Sequence, residues 1–215
     1  MPTLSPETAV RVGKPLVFLL CLTPFALLVW RTLGDALGAN PVEAVVHFTG
    51  SWALRLLLVT LAVTPLRRLS GWPWLVRFRR MLGLFAFFYA VLHVSAYLIL
   101  DRALAWDDIL ADLTERPYIV VGFAAFVLLV PLAVTSTRGW VRRLGRRWQQ
   151  LHRAVYAIAV LGVLHFLWLV KADIREPLID GAVLALLLGF RVPWRRLAET
   201  LAAGRRPSSP GRAMD

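Results

Sequence analysis

The sequence contains very little cysteine and too few polar residues to coat a soluble domain of its length. Its one cysteine, Cys21, lies in an apolar run, so the chain forms no internal disulfide and supplies no thiolate cluster for an iron–sulfur or cysteine-rich zinc site. Hydrophobic residues make up 58% of the 215 positions, whereas soluble domains average about half or less. This apolar excess predicts that much of the surface faces lipid.

Acidic residues are also scarce, with 13 Asp and Glu against 25 Lys and Arg and a net charge of +12. In a soluble protein such a charge would point to nucleic acid. Here the basic residues cluster between apolar runs, where membrane proteins carry their cytoplasmic loops. The charge pattern therefore argues for a membrane protein and against nucleic-acid binding.

Six apolar runs approach the length of about 20 residues that a membrane-spanning helix needs. They cover residues 16–30, 48–66, 81–100, 118–135, 151–170 and 178–192. The first run is short and interrupted by Pro24, and the last is short and carries Asp180. No small-residue cleavage site follows the first run, so we interpret it as a retained helix and not as a signal peptide. The predicted fold class is all-α, a polytopic bundle of six transmembrane helices.

Arginine-rich and arginine-poor loops alternate along the chain. Loops 67–80 and 138–147 and the tail after 191 are rich in arginine, loop 101–116 is acidic, and loop 171–176 is balanced. Because cytoplasmic loops collect Lys and Arg, this alternation predicts that both termini are cytoplasmic. Residues 1–14 are then a cytoplasmic segment, residues 15–200 the membrane domain, and residues 201–215 a disordered tail without an apolar pattern.

Two histidines lie well inside strong apolar runs, where ionisable side chains are costly and need a role. His93 precedes Asp101 by eight residues and His165 precedes Lys171 by six, which places them roughly 12 and 9 Å below the same outer face. Two imidazoles at similar depth suit the two axial positions of one haem iron, an arrangement that favours electron transfer over oxygen chemistry. Alternatively, each histidine bonds a backbone carbonyl or a hydroxyl such as that of Ser95.

The inner end of the bundle offers no second pair of histidines. His152 lies about 20 Å from His165 along the fifth helix and faces about 140° away from it. At the matching depth the third run has Arg79 and Arg80, which are topology determinants or ligands for the phosphate or carboxylate groups of a cofactor. His152 is then an iron ligand with another partner, a contact to a flavin or a propionate, or an interfacial residue.

Two further polar residues have open roles. His47 stands where the second run begins, as an interfacial histidine would. Arg55 lies inside that run and needs a buried partner, either a haem propionate or a carboxylate such as Asp180.

Several segments resemble the MsrQ (YedZ) family of the ferric-reductase-like transmembrane group. They are residues 40–43 (NPVE), 64–68 (TPLRR), 79–84 (RRMLGL), 89–93 (YAVLH) with Tyr97, 116–119 (RPYI), 131–137 (PLAVTST), 148–153 (WQQLHR) and 165–168 (HFLW). Together these motifs are specific, and the resemblance covers nearly the whole chain up to about residue 200.

The resemblance implies a haem b subunit of the bacterial inner membrane, with a ferric-reductase-like haem-binding domain over residues 15–200. It implies that His93, His152 and His165 are the haem-linked histidines and that FMN is an associated cofactor. The implied partner is MsrP, a periplasmic molybdenum enzyme that reduces methionine sulfoxide in proteins, with the quinone pool or a cytoplasmic flavin reductase as electron donor. Unlike two-haem ferric reductases, the chain lacks the inner histidine of the third helix and any C-terminal flavin or nucleotide domain. The alternatives are a quinone-reactive cytochrome, a metal-ion reductase, and a non-redox scaffold or transporter.

Overall fold

The computed structural model describes residues 5–170 and 173–192. All regular elements in these ranges are helical, which confirms the all-α class. They are α1 (Pro6–Leu33), α2 (Pro41–Ser70), α3 (Arg79–Ala96), α4 (Trp106–Glu115), α5 (Pro117–Val134), α6 (Arg138–Leu144), α7 (Arg146–His152), α8 (Ala154–Leu169) and α9 (Arg175–Gly189). A 3-10 helix (Pro73–Phe78) leads into α3, and a π-helical turn (Tyr97–Asp101) ends it. The tail predicted at residues 201–215 lies outside the described residues.

Local sequence signals explain where the long helices begin and end. Asn40 precedes α2 and accepts a hydrogen bond from the backbone N–H of Glu43 at 3.2 Å, while its amide donates to the Glu43 carboxylate at 2.9 Å. Prolines occupy the first positions of α2 and α5, where a missing N–H costs nothing. Gly71 ends α2 with a φ of 71°, a left-handed conformation that glycine adopts without strain.

The first helix is longer than the sequence indicated. It runs unbroken through Pro15 and Pro24, and it begins at Pro6, inside the segment predicted to precede the membrane domain. The hydroxyl of Tyr89 on α3 lies between the Cys21 carbonyl (2.8 Å) and the Phe25 amide (2.9 Å), two groups that an uninterrupted helix would join directly. Helix α1 continues past Pro24, where the Tyr89 hydroxyl replaces the backbone hydrogen bond between Phe25 and Cys21.

Five helical segments are long and apolar enough to cross a membrane. They are Pro6–Leu33, Pro41–Ser70, Pro73–Asp101, Pro117–Val134 and Arg146–Leu169, and they correspond to the first five predicted runs. The sixth predicted run corresponds to α9, which has 15 residues and so falls short of a full span among the described residues. The structure thus confirms a multi-helix membrane bundle but not the number of six.

The bundle is organised as two helix pairs. Helix α2 packs mainly on α3, α5 packs mainly on α8, and the two pairs face each other. Helix α1 packs on the first pair, and α9 packs on α8 and α2. The core is densest where small and large side chains meet, and Leu61, Tyr89 and Ala159 have no exposed surface. We call the end that carries α4 the outer end and the end that carries α6 and α7 the inner end.

The acidic loop that follows α3 contains a helix that the sequence analysis missed. Helix α4 has acidic residues in its first turn, and it buries Ile109 and Asp112. Its ten residues are too few to span a membrane, and it packs on α5. The outer end is therefore partly covered by an amphipathic helix and not by an irregular loop.

Candidate functional site

The structure brings His93 and His165 together between the two helix pairs. His93 projects from α3 and His165 from α8, and their ring centres are 6.1 Å apart with the ring planes at 74°. Both side chains line a cavity of about 450 Å³. The similar depth that the sequence predicts for these two residues thus corresponds to a real meeting point of two helices.

Each imidazole is fixed by a hydrogen bond to a neighbouring helix. Nδ1 of His93 lies 2.9 Å from the carbonyl oxygen of Val46, and Nδ1 of His165 lies 2.6 Å from that of Tyr118. A carbonyl can only accept, so Nδ1 carries the proton and donates in both rings. Neither Nε2 makes a hydrogen bond within the described ranges, so each lone pair is available to a metal ion.

Two glycines make room for these imidazoles. A Cβ atom added to Gly50 on α2 would lie 2.9 Å from the His93 ring, and one added to Gly122 on α5 would lie 2.8 Å from the His165 ring. Real Cβ atoms essentially never approach that closely. Each ring therefore rests against helix backbone, which fixes its plane more tightly than a side-chain contact would.

The two half-sites repeat the same spacing, which the sequence analysis missed. In each, the histidine follows its carbonyl partner by 47 residues, and the glycine follows that partner by about one helical turn. Val46, Gly50 and His93 precede Tyr118, Gly122 and His165 by the same number of residues. A search for glycine and histidine at equal separations would have detected this signal.

The residues present fit a haem group. A transition-metal ion binds an imidazole nitrogen at about 2 Å, so two imidazoles that share one ion have ring centres roughly 6 Å apart, close to the observed 6.1 Å. Among the described residues no group of three or more His, Cys, Asp or Glu could hold a metal ion, so the remaining ligands would have to arrive with the metal. The deeper part of the cavity is lined by apolar side chains, including Leu54, Leu57 and Ile158.

His152 lies apart from this cavity, at the end of α7. Its ring stacks on Trp148 with centres 3.9 Å apart and planes at 25°, and its Nδ1 lies 3.2 Å from the Trp148 carbonyl. Trp148 in turn donates from Nε1 to the carbonyl of Thr135 at 2.9 Å. Arg79 is half-buried at the start of α3 and acts electrostatically on His152, whereas Arg80 is exposed. The structure thus separates His152, Arg79 and Arg80 from the paired histidines.

The partner of Arg55 differs from the carboxylate that the sequence suggested. Its Nη2 lies 3.1 Å from the Glu176 carboxylate, not from Asp180, which is one turn further along α9 and buried. His47 lies 3.9 Å from the Glu43 carboxylate and lines the cavity. It is therefore closer to the paired histidines than an interfacial role requires.

The outer rim of the cavity carries a compact charge cluster. Asp112 is buried and lies between two guanidiniums, with Nε of Arg102 at 2.7 Å and Nε of Arg116 at 3.2 Å. The Tyr97 hydroxyl donates to the same carboxylate at 2.9 Å. Burial alone would lower the pKa of Arg102, but the carboxylates of Asp101 and Asp112 outweigh it and raise that pKa. Arg102 therefore remains charged at every accessible pH.

Comparisons with known proteins agree with this architecture. A family model described as "Ferric reductase like transmembrane component" matches residues 49–163. A protein of Xanthomonas axonopodis pv. citri (strain 306), named "Protein-methionine-sulfoxide reductase heme-binding subunit MsrQ", is 54% identical over 210 residues, covering 95% of this chain and 96% of that protein. A Bordetella pertussis protein of the same name is 56% identical over 198 residues, covering 89% and 96%. The chain therefore belongs to the MsrQ family and carries a ferric-reductase-like transmembrane component.

Proposed function

We propose that this chain is the haem b membrane subunit of a methionine-sulfoxide reductase system and that His93 and His165 are the axial ligands of its iron. The observation that carries the proposal is the pair of imidazoles, 6.1 Å apart, each held through Nδ1 with Nε2 free. The names of two relatives that share more than half of its residues support it. When bound, haem supplies reversible one-electron transfer.

The residues around His93 and His165 orient the two imidazoles and set the polarity of the cavity. The carbonyls of Val46 and Tyr118 fix the tautomer and orientation of each ring and increase the basicity of Nε2. Apolar side chains in the deeper cavity exclude water and lower the local dielectric constant, which is one means of setting a haem potential. His93 and His165 together would leave the iron no open position for oxygen, which would favour electron transfer.

The complete system extends beyond this chain. We propose that electrons leave at the outer end to the periplasmic molybdenum enzyme MsrP and arrive from the quinone pool or from a cytoplasmic flavin reductase. Reduction of one methionine sulfoxide consumes two electrons and two protons and releases water, so a one-electron carrier must act twice for each sulfoxide. FMN belongs at the inner end in this scheme, where Arg79, Arg80 and His152 supply cationic and aromatic contacts for an anionic ligand.

The topology of this scheme is six spans with both termini in the cytoplasm of the bacterial inner membrane. Strict alternation of arginine-rich and arginine-poor loops supports it. Helix α9 provides 15 residues of the sixth span, and residues 193–215 lie outside the described part. A reporter enzyme that is active only in the periplasm, fused after Asp215, should be inactive, whereas the same reporter inserted after Asp108 should be active.

The decisive experiment is a reduced-minus-oxidised absorption spectrum of the purified chain with haem quantified per chain. We expect a b-type spectrum near one haem per chain, and we expect His93→Ala and His165→Ala each to lose most of it. His152→Ala is the matched control, because it removes a histidine that does not line the cavity, and it should retain at least part of the haem. Full haem retention in either of the first two variants would contradict the axial pairing.

The family description favours one alternative, a metal-ion reductase. Such an enzyme would pass electrons directly to ferric iron and would not need a soluble partner. Ferric reduction by intact cells that persists after deletion of the partner reductase would support this alternative. Loss of methionine-sulfoxide reduction, without loss of ferric reduction, on deletion of this chain would exclude it.

A further inference from the structure

The cavity that holds His93 and His165 is apolar at one end and charged at the other. Toward the inner end its lining side chains are Leu54, Leu57, Ala86, Leu129 and Ile158. Toward the outer end they include Asn40, Glu43, Asp101, Arg102 and Arg116. An ionised carboxylate is costly to bury among apolar groups without a partner. A ligand that carries carboxylates on one edge must therefore place that edge at the outer end.

Among the described residues that line the cavity, Arg102 and Arg116 are the two with a permanent positive charge, and both lie at the outer end. Arg102 follows the turn that ends α3, and Arg116 immediately precedes α5, so each stands beyond one of the two half-sites. Arg102 is mostly buried and Arg116 is half-exposed, with 21% and 44% of their side-chain surfaces accessible. Arginine binds carboxylates through paired N–H groups, with a geometry that lysine cannot reproduce.

Asp112 contacts both guanidiniums at the same atom, Nε. Its two carboxylate oxygens lie 2.7 Å from Nε of Arg102 and 3.2 Å from Nε of Arg116. Asp101 adds a weaker contact to Nε of Arg102 at 3.4 Å. The ion pairs of both arginines with Asp112 are recorded at Nε. Arginine carries four further N–H groups on its two terminal nitrogens, so each guanidinium can still bind another acceptor.

We propose that Arg102 and Arg116 bind the two propionate carboxylates of the haem and that Asp112 is the positioning residue that holds both guanidiniums in place. This inference rests on the proposed function, because it assumes that His93 and His165 ligate a haem. It gives the haem a defined orientation in the cavity, with its propionate edge at the outer end, the end that carries α4. It also gives a role to Arg102, which the sequence analysis did not single out, and to Arg116, which begins the RPYI motif.

The test compares haem with its dimethyl ester, which has the same porphyrin and iron but no carboxylates. Full-length protein from haem-limited cells is titrated in detergent with each compound, and affinity is read from the Soret band. We expect the native chain to bind haem roughly tenfold or more tightly than the ester, the scale of one lost charge-assisted hydrogen bond. In the double variant Arg102→Gln, Arg116→Gln this preference should fall close to one.

Four further variants make the result specific. Arg175→Gln removes an exposed arginine at the start of α9 that does not line the cavity, so it should keep the full preference. Arg102→Lys and Arg116→Lys keep the charge but lose the paired N–H groups, so each should partially lower the preference for haem over the ester. These two variants replace the double variant as the test if the double variant does not fold. Asp112→Asn should also lower the preference for haem over the ester, because the two guanidiniums lose the carboxylate that positions them. Ligation by His93 and His165 should not change.

The possible outcomes separate this inference from the proposed function. A b-type spectrum with both compounds, and equal affinity for them in the native chain, would overturn the propionate assignment and leave the axial histidines intact. A double variant that still prefers haem as the native chain does would also overturn it. If neither compound gives a b-type spectrum, both the assignment and the proposed function are wrong.

Discussion

The two helix pairs that enclose the cavity, α2–α3 and α5–α8, are alike at their imidazoles and different above and below them. In both pairs a backbone carbonyl and a glycine on the first helix hold a histidine of the second, at identical separations along the chain. At the same separation, the counterpart of His152 in the first pair is Arg80, and the counterpart of Tyr89 in the second pair is Leu161. The two pairs therefore match at the carbonyl, the glycine and the histidine of each half-site and differ at these two inner positions.

The differences follow from what each pair contacts. The first pair must hold α1, and Tyr89 does so by bonding its backbone, whereas Leu161 packs against the hydrophobic core. The second pair ends at the inner end in the stack of Trp148 and His152, where the first pair has exposed Arg80. The comparison teaches that the two pairs match where they share the cavity, whereas the rest of each pair is adapted to its own neighbours.

The largest effect is expected from variants that disturb the histidine half-sites, where the two pairs are alike. Gly50→Ala and Gly122→Ala each place a Cβ within 3.0 Å of an imidazole. The ring or the backbone must then move, at a cost of about 1–3 kcal/mol, which corresponds to a weakening of haem binding of roughly five- to 150-fold. Because the half-sites match, we expect similar losses from the two variants. Haem per chain and the Soret titration measure them.

Gly83→Ala is the matched control for this prediction. It adds the same methyl group to α3, where the nearest atom, Cγ2 of Thr60, would lie 3.7 Å away in ordinary contact. It should leave haem binding unchanged. Full haem content in Gly50→Ala, or an equal loss in Gly83→Ala, would contradict the idea that glycine is needed to seat the imidazoles.

Sequence reasoning predicted the depth of the histidines well but not their surroundings. The depth of His93 and His165 follows from helix rise and from the first charged residue beyond them, and both quantities can be read from the sequence. The glycines that seat the rings belong to neighbouring helices, and their relevance appears only when helix pairing is known. The same limitation explains Arg55, because Glu176 and Asp180 lie one turn apart on the same face of α9, and the axial position of α9 relative to α2 decides between them.

The sequence also predicted some helix boundaries correctly and missed others. The fourth predicted run, residues 118–135, agrees closely with α5, because a long apolar stretch in a membrane leaves little freedom. Helix α4 was missed because ten amphipathic residues rich in acid resemble a solvated loop. Pro24 suggested a break that the hydroxyl of Tyr89 prevents, and the 64 residues that separate Tyr89 from Phe25 conceal that contact in the sequence.

A smaller effect is expected from Tyr89→Phe, which makes the first pair resemble the second at this position. The Cys21 carbonyl and the Phe25 amide would lose their bridging hydroxyl beside Pro24. Leaving such buried groups unpaired costs about 1–3 kcal/mol, and thermal unfolding in detergent should register the loss. Haem per chain should not change, because Tyr89 does not line the cavity.

Tyr156→Phe is the control for that variant. Tyr156 lies on α8, its ring faces the Arg191 guanidinium at 5.3 Å, and its hydroxyl makes no hydrogen bond within the part of the chain that is described. A phenylalanine keeps the ring, so stability should be unaffected. Equal stability losses in the two variants would mean that the Tyr89 hydroxyl does not hold α1.

The smallest effect is expected at the inner end of the second pair, from Trp148→Phe. The variant keeps an aromatic ring to stack on His152 but removes the Nε1–H that donates to the Thr135 carbonyl at 2.9 Å. One lost hydrogen bond at a half-buried site costs about 0.5–1.5 kcal/mol, which should lower the unfolding temperature slightly. The Soret band and haem per chain should stay at native values, because neither residue lines the cavity. A loss of haem in this variant would instead mean that the inner end and the paired histidines are energetically coupled, so that the two ends of the second pair form one site.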